Sequence, residues 1–153
     1  MLSKKAKYGL IATLHLARRQ GEGPIPIGEL ASKERIPRKF LELILLELKN
    51  RGILQSQKGK AGGYSLGREP EAISIGEIVR VVDGPIALLP CVSVTAYRPC
   101  EECHDESVCS IRMIFQEVRD STAALLDGAT VADLLRRSED ARLAAPEALS
   151  YQI

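Results

Sequence analysis

The four cysteines of this 153-residue chain all fall between Cys91 and Cys109, spaced Cys91-x8-Cys100-x2-Cys103-x5-Cys109, with His104 among them. Cysteines that serve only as small core residues scatter along a sequence. Four thiols in one short polar stretch can converge on one centre and carry metal or redox chemistry. Four thiolates suit a 2Fe-2S or a 4Fe-4S cluster equally well. Glu101, Glu102, Asp105 and Glu106 crowd the same stretch; they disfavour free thiolates and favour a bound metal centre that offsets the repulsion. A zinc site on the same thiols is the rival. Zinc sites more often show paired Cys-x-x-Cys spacings, and only Cys100 to Cys103 has one. A thiol redox switch without metal is a further alternative. His104 is the weaker candidate ligand, because a lone loop histidine is by default solvated.

The elements around this loop divide the chain by charge. Residues 1–60 hold 13 Lys and Arg against 5 Asp and Glu, a net of +8, and the remainder carries −7. A basic half of this kind suits a partner rich in phosphate. Leu10, Ile11, Leu14 and Ala17 recur at helical spacing and predict a first helix over 3–19, ended by Gly21-Glu22-Gly23-Pro24. A short second helix is expected over 28–33. Pro37 then opens a leucine-rich helix over 38–50 that stops at Arg51-Gly52. Phe40, Leu41, Ile44, Leu45 and Leu48 form its apolar side, leaving Arg38, Lys39, Glu42 and Lys49 to a partner. Residues 53–56 and 64–66 flank a basic glycine-rich tip and predict a hairpin.

Three helices and a basic hairpin, in that order, make a winged helix-turn-helix. The expected fold is therefore mainly α with a small β-hairpin wing. Arg38, Lys39 and Glu42 are positioned to read base edges of double-stranded DNA, since Arg bonds guanine and Glu accepts from cytosine. Lys58 and Lys60 at the wing tip, and Lys4, Lys5 and Lys7 on the first helix, would meet phosphates. Gly62 lets the backbone come close.

Ser74-Ile75-Gly76-Glu77 has capping-box spacing and predicts a helix over 75–82. Beyond the cysteines, Ile111, Ile114, Val118, Ser121 and Leu125 repeat at intervals of 3 and 4, a narrow helical seam that suits either packing on its own domain or a coiled coil with a second copy. The resulting division is 1–84, a winged helix-turn-helix; 85–109, a cysteine-rich sensor loop; 110–136, the dimerisation helix and a short following helix; and 137–153, a weakly ordered tail. The apolar stretch over 8–17 contains His15, runs into Arg18-Arg19 and is too short to cross a membrane, so no membrane role and a cytoplasmic setting are expected. No phosphate-cradling glycine loop or acid-base constellation accompanies the thiols, which argues against an enzyme. A protein-assembly module without DNA is the remaining alternative.

Tyr8-Gly9-Leu10, Ile36-Pro37-Arg38-Lys39-Phe40-Leu41-Glu42 and Gly59-Lys60-Ala61-Gly62-Gly63-Tyr64-Ser65-Leu66 resemble the Rrf-type winged-helix transcription regulators, and the cysteines their IscR-, NsrR- and RirA-like iron-sulfur branch. The resemblance covers about residues 1–135. It implies a homodimer on a pseudo-palindromic operator, acting as a repressor, with Ile111, Ile114, Val118 and Leu125 at the dimer interface. Gly62 and Tyr64 join the DNA-binding residues through the wing motif, and Glu42 matches an acidic position that separates operator classes. The Cys103-x5-Cys109 interval matches the branch, while the gap after Cys91 is longer and Cys100 is additional. Tyr8 stands near the position from which some relatives take a fourth ligand in the partner chain, so Cys100, or less readily His104, is expected to supply it in cis.

Overall fold

A computed structural model describes residues 2–145. In chain order the elements are α1 (Lys4–Arg18), α2 (Ile27–Glu34), α3 (Arg38–Asn50), β1 (Leu54–Gln57), β2 (Gly63–Leu66), α4 (Ile75–Asp83), α5 (Ser110–Gly128) and α6 (Val131–Ala144). The fold is mainly helical with one two-stranded antiparallel hairpin, the expected winged helix-turn-helix followed by a long helix.

Ser3 caps α1 by accepting from the Ala6 N–H at 3.0 Å, and its own N–H donates to Asp83 at the end of α4. The buried residues of α1 are Ala6, Gly9, Ala12, Thr13, Leu16 and Ala17; of the four positions its periodicity emphasised, Ala17 is among them and Leu10, Ile11 and Leu14 are not. Those three are half-buried at the core's margin. Small side chains let α4 approach closely: a Cβ on Gly9 would lie 3.2 Å from Val82 Cγ2. Across this layer lies α3, whose Leu41, Ile44, Leu45 and Leu48 are each fully enclosed. At about 1.5–3 kcal/mol apiece, these four burials dominate the placement of the helix.

The turn before α3 passes through Arg35 at φ 55°, and Ile36 inserts beneath it, so α2 and α3 meet at a fixed angle. His15 of α1 sits 2.5 Å from Glu34 at the end of α2 and fastens the same corner.

The wing pairs Leu54 with Leu66 through Gln57 with Gly63. A third segment joins it, because Ile25 and Tyr64 exchange backbone hydrogen bonds at 2.8 and 2.9 Å. This explains the double glycine. A Cβ on Gly63 would stand 2.2 Å from the Ile25 carbonyl oxygen, and one on Gly62 would stand 2.3 Å from that of Gln57.

Two differences from the expected organisation follow from packing and propensity. Val131, at the start of α6, is fully buried in the same core as α1, α3 and α4, so the chain returns to that core after α5. The last helix is also longer than expected: α6 continues to Ala144 through part of the segment read as a weakly ordered tail, over residues of high helix propensity. The rest of that expected tail, 146–153, lies outside the described residues.

Gly63→Ala is expected to destabilise the protein by about 1–3 kcal/mol through the clash with Ile25. Gly128→Ala, with nothing within 4 Å of its Cβ, should be neutral or stabilising by up to about 1 kcal/mol. Urea unfolding of the two variants beside the parent checks both.

Candidate nucleic-acid interface and thiol site

The outer side of α3 presents Arg38, Lys39 and Glu42 to solvent, with Arg38 Nε 3.2 Å from Glu42 Oε1 one turn away. This pair is well exposed and weak, so a ligand can separate it readily. Lys4, Lys7, Lys58 and Lys60 are also exposed, the first two at the start of α1 and the others on the wing tip. Lys5 is engaged differently. Its Nζ donates to both carboxylate oxygens of Glu47 at 2.8 and 2.7 Å, clamping α1 to α3. Tyr64 is half-buried, its backbone tied to Ile25 and its ring packed on the core, and Gly62 holds the wing turn. These two shape the wing from below.

Two residues on α3 escaped the sequence reading. Leu43 and Leu46 are 57% and 46% exposed, on the same side as Lys39. The available signal was their offset from the four enclosed positions, which a helical wheel places on the opposite face.

The thiols divide between two ends of the loop. Cys91 lies in a single 3-10 turn, Pro90–Val92, and is buried. Arg119 of α5 donates to the Val92 carbonyl at 2.5 Å, fixing that end. Cys109 is the N-cap of α5, its Sγ accepting from the Arg112 N–H at 3.4 Å. Between them, Tyr97 donates to Glu106 at 2.6 Å, and Glu106 lies 3.5 Å from Arg112. Cys100 is exposed and donates to Glu102 at 3.1 Å, and this hydrogen bond holds its thiol above the ordinary range. Cys103 is half-buried. Loss of water contact, and then hydrogen bonding with Cys109, push its thiol up as well. All four thiols are free, and His104 is exposed.

In donor type this set fits an iron-sulfur cluster or zinc. In position it is not yet a cage: among the described residues no three His, Cys, Asp or Glu side chains stand together as a metal site. Cys103 lies near Cys109, the turn that carries Cys91 is held by Arg119, and Cys100 is turned to a carboxylate.

The seam expected on α5 is open to solvent. Ile111, Ile114, Val118 and Leu125 are all exposed, Met113 extends the apolar surface, and no residue of this 19-residue helix is buried. Its far end is tied back to α4 by Arg80, which donates to both carboxylate oxygens of Asp127 at 2.5 and 2.8 Å. Gly76 makes room for Asp127, whose Oδ1 would stand 2.0 Å from a Cβ there. Sequence reading missed this link.

A family model described as Rrf2, iron-dependent transcriptional regulator, matches residues 2–137. The chain belongs to the Rrf2 family of transcriptional regulators. An rrf2-like HTH-type transcriptional regulator of Rhodobacter capsulatus is 47% identical over 138 residues, covering 88% of this chain and 92% of that protein. Among solved structures, CymR, the global cysteine regulator of B. subtilis, superposes with a TM-score of 0.75 at 34% identity, covering 90% of this chain and 97% of that one. IscR of T. potens gives 0.75 at 29% identity, covering 95% and 93%. These Rrf2 relatives are regulators and not enzymes, in agreement with the absence of a catalytic constellation in the sequence.

The Arg80 guanidinium, by hydrogen bonding, holds the Asp127 carboxyl below the usual aspartate range. Its stabilisation is therefore complete above the ordinary aspartate pKa and is lost as pH falls through the lower folded-state value. Asp127→Asn should cost about 0.5 kcal/mol near neutrality, because the pair is substantially solvated. Urea unfolding of parent and variant from neutral pH down to about pH 3 should show the two stabilities converging in acid.

Proposed function

We propose that this Rrf2-family protein is a cytoplasmic homodimeric repressor. It binds a pseudo-palindromic operator in double-stranded DNA, and the state of its cysteine loop sets its affinity. The observation that carries the reading is mechanical: the loop is fastened at both ends to α5, through Arg119 to the Val92 carbonyl and through Cys109 as the helix cap. The same helix exposes the Ile111, Ile114, Val118 and Leu125 seam, which a second copy would cover. Arg38, Lys39 and Glu42 would enter the major groove, with Lys58 and Lys60 at the flanking backbone. Lys4 and Lys7 add phosphate contacts, while Lys5 contributes by holding α1 against α3. No described helix is long and apolar enough to cross a membrane.

Cys91, Cys100, Cys103 and Cys109 would hold an iron-sulfur cluster, with His104 the weaker substitute for Cys100. A bound cluster supplies a centre that responds to iron supply and oxidants. The family's description as iron-dependent supports this reading over zinc. The chain's own part is to transmit the loop's state. Arg119 keeps Cys91 registered on α5, Tyr97 and Arg112 hold Glu106 between them, and Cys109 sets where α5 begins. Loop closure changes DNA affinity only if the two loop states fit DNA unequally.

Cys103 and Cys109 lie close enough to influence each other's protonation, which favours a second reading, a metal-free dithiol switch. Anaerobic isolation with iron, sulfide and visible-absorption measurements separates the two. Stoichiometric iron and sulfide are expected. Colourless protein with stoichiometric zinc would contradict the cluster, and metal-free protein that loses two thiols reversibly on oxidation would select the switch. Binding to operator duplex should fall steeply as salt rises.

A further inference from the structure

The outward line of α3 is not all polar. Lys39, Leu43, Leu46 and Asn50 follow one another at i, i+4, i+7 and i+11, directly opposite the enclosed Leu41, Ile44, Leu45 and Leu48. Single exposed leucines are ordinary on protein surfaces. Two neighbouring ones on the most outward line of a helix, 57% and 46% exposed and ringed by charge, have no role in the fold.

The surroundings define what could cover them. Arg38, Lys39, Lys49 and Arg51 are exposed around the patch, and Lys58 and Lys60 stand on the wing beyond it. The two carboxylates beside the patch, Glu42 and Glu47, are already paired with Arg38 and Lys5. A matching surface is therefore strongly anionic and carries small, isolated apolar groups. The major groove of DNA has that character, because the thymine C5-methyl is its one apolar group among donors and acceptors. Leu43 and Leu46 are separated by about 4.5 Å along the helix axis, close to the roughly 3.4 Å between successive bases on one strand. Two leucines can thus address neighbouring steps.

We propose that Leu43 and Leu46 form a thymine-methyl reading patch, which makes this protein prefer 5-methylpyrimidines at the positions that face the middle of α3. The polar neighbours read hydrogen-bonding edges and set orientation, while the leucines discriminate by burying a methyl group. The proposal rests on the DNA-binding reading above and adds a chemical criterion for the sequence bound.

The test uses the full chain and a duplex recovered by in vitro selection from random sequence. Each thymine is replaced singly by deoxyuridine, which removes only the C5-methyl group, and binding is followed by fluorescence anisotropy. For the parent protein, uracil at one or two positions per half-site should weaken binding about fourfold, the weight of one buried methyl group. Leu43→Ala or Leu46→Ala should bind the thymine duplex more weakly and bind the thymine and uracil duplexes equally at its own position. Equal affinity of the parent for every uracil duplex overturns the patch, and so does undiminished thymine preference in both variants. Unaltered DNA binding accompanied by loss of self-association in the variants would assign the leucines to a second copy and also overturn it. If the parent binds no duplex at all, the DNA-binding reading itself fails. The uracil arm leaves the protein unchanged and is independent of how the variants fold.

Discussion

The placement of α3 rests on four side chains that water does not reach. Leu41, Ile44, Leu45 and Leu48 wedge the helix between α1 and α4, and their burial decides which of its residues face outward. Once they are fixed, Arg38, Lys39 and Glu42 have no freedom to turn inward, and Leu43 and Leu46 must meet whatever the helix meets. The same constraint explains the small residues of α1, since larger ones at Gly9 or Ala12 would push against the layer that holds α3. Lys5 and Glu47, and His15 and Glu34, then fasten the corners. These polar links fix orientation in a core whose stabilisation is apolar.

The other half is built on the opposite principle. No residue of α5 is buried, although it carries an apolar seam, and it is held at its two ends, at mid-helix by Arg119 on the Val92 carbonyl, and by Leu126 packed against the core. Cys109 caps the start, Arg80 holds Asp127 near the finish, and the strand-like pairing of Ser74 with Thr130 returns the chain to the core at Val131. A change at the N-terminal loop reaches this helix directly, because Cys109 caps it and Arg119 at its middle is bonded to the loop at the Val92 carbonyl. The physical requirement for switching is two loop arrangements with unequal fit to DNA. The open loop, with Cys100 turned to Glu102 and no three potential ligands gathered among the described residues, is one such arrangement. Closure of the four thiols around a centre would be the other.

The order of elements was legible in the sequence because its punctuation is strong. Pro37 and Gly52 bracket α3, the Gly-Gly-Tyr run marks the wing, and Ser74 caps α4. The need for both glycines at 62 and 63 was legible only as a motif; its cause is the approach of the Ile25 backbone, a long-range pairing that no local pattern reveals. Lys5 read as a free cation because its partner Glu47 lies 42 residues away. Leu43 and Leu46 fall outside the apolar side read for α3 and had no role there, because an exposed leucine carries no local signal of what covers it. The Ala-, Glu- and Pro-containing end of the chain read as weakly ordered, yet α6 runs to Ala144, before the proline, over Arg, Glu, Leu and Ala residues that are good helix formers. For the thiols, sequence gave the donors and their spacing. Which of them stand together depends on Arg119 and on the Tyr97, Glu106 and Arg112 cluster, none of which spacing can show.

The central claim is that the state of the cysteine loop is coupled to DNA affinity through α5. Operator affinity of one anaerobic preparation, measured before and after chelation and oxidation of the loop, tests it most directly, with Arg119→Gln measured in parallel. The account predicts a change of about tenfold or more in the parent protein, within the usual span of coupling between sites, and a much smaller change when Arg119 no longer holds the Val92 carbonyl. Equal affinity of the parent protein in both states, with DNA binding otherwise intact, would contradict the coupling and leave a regulator whose thiols do not act on its operator.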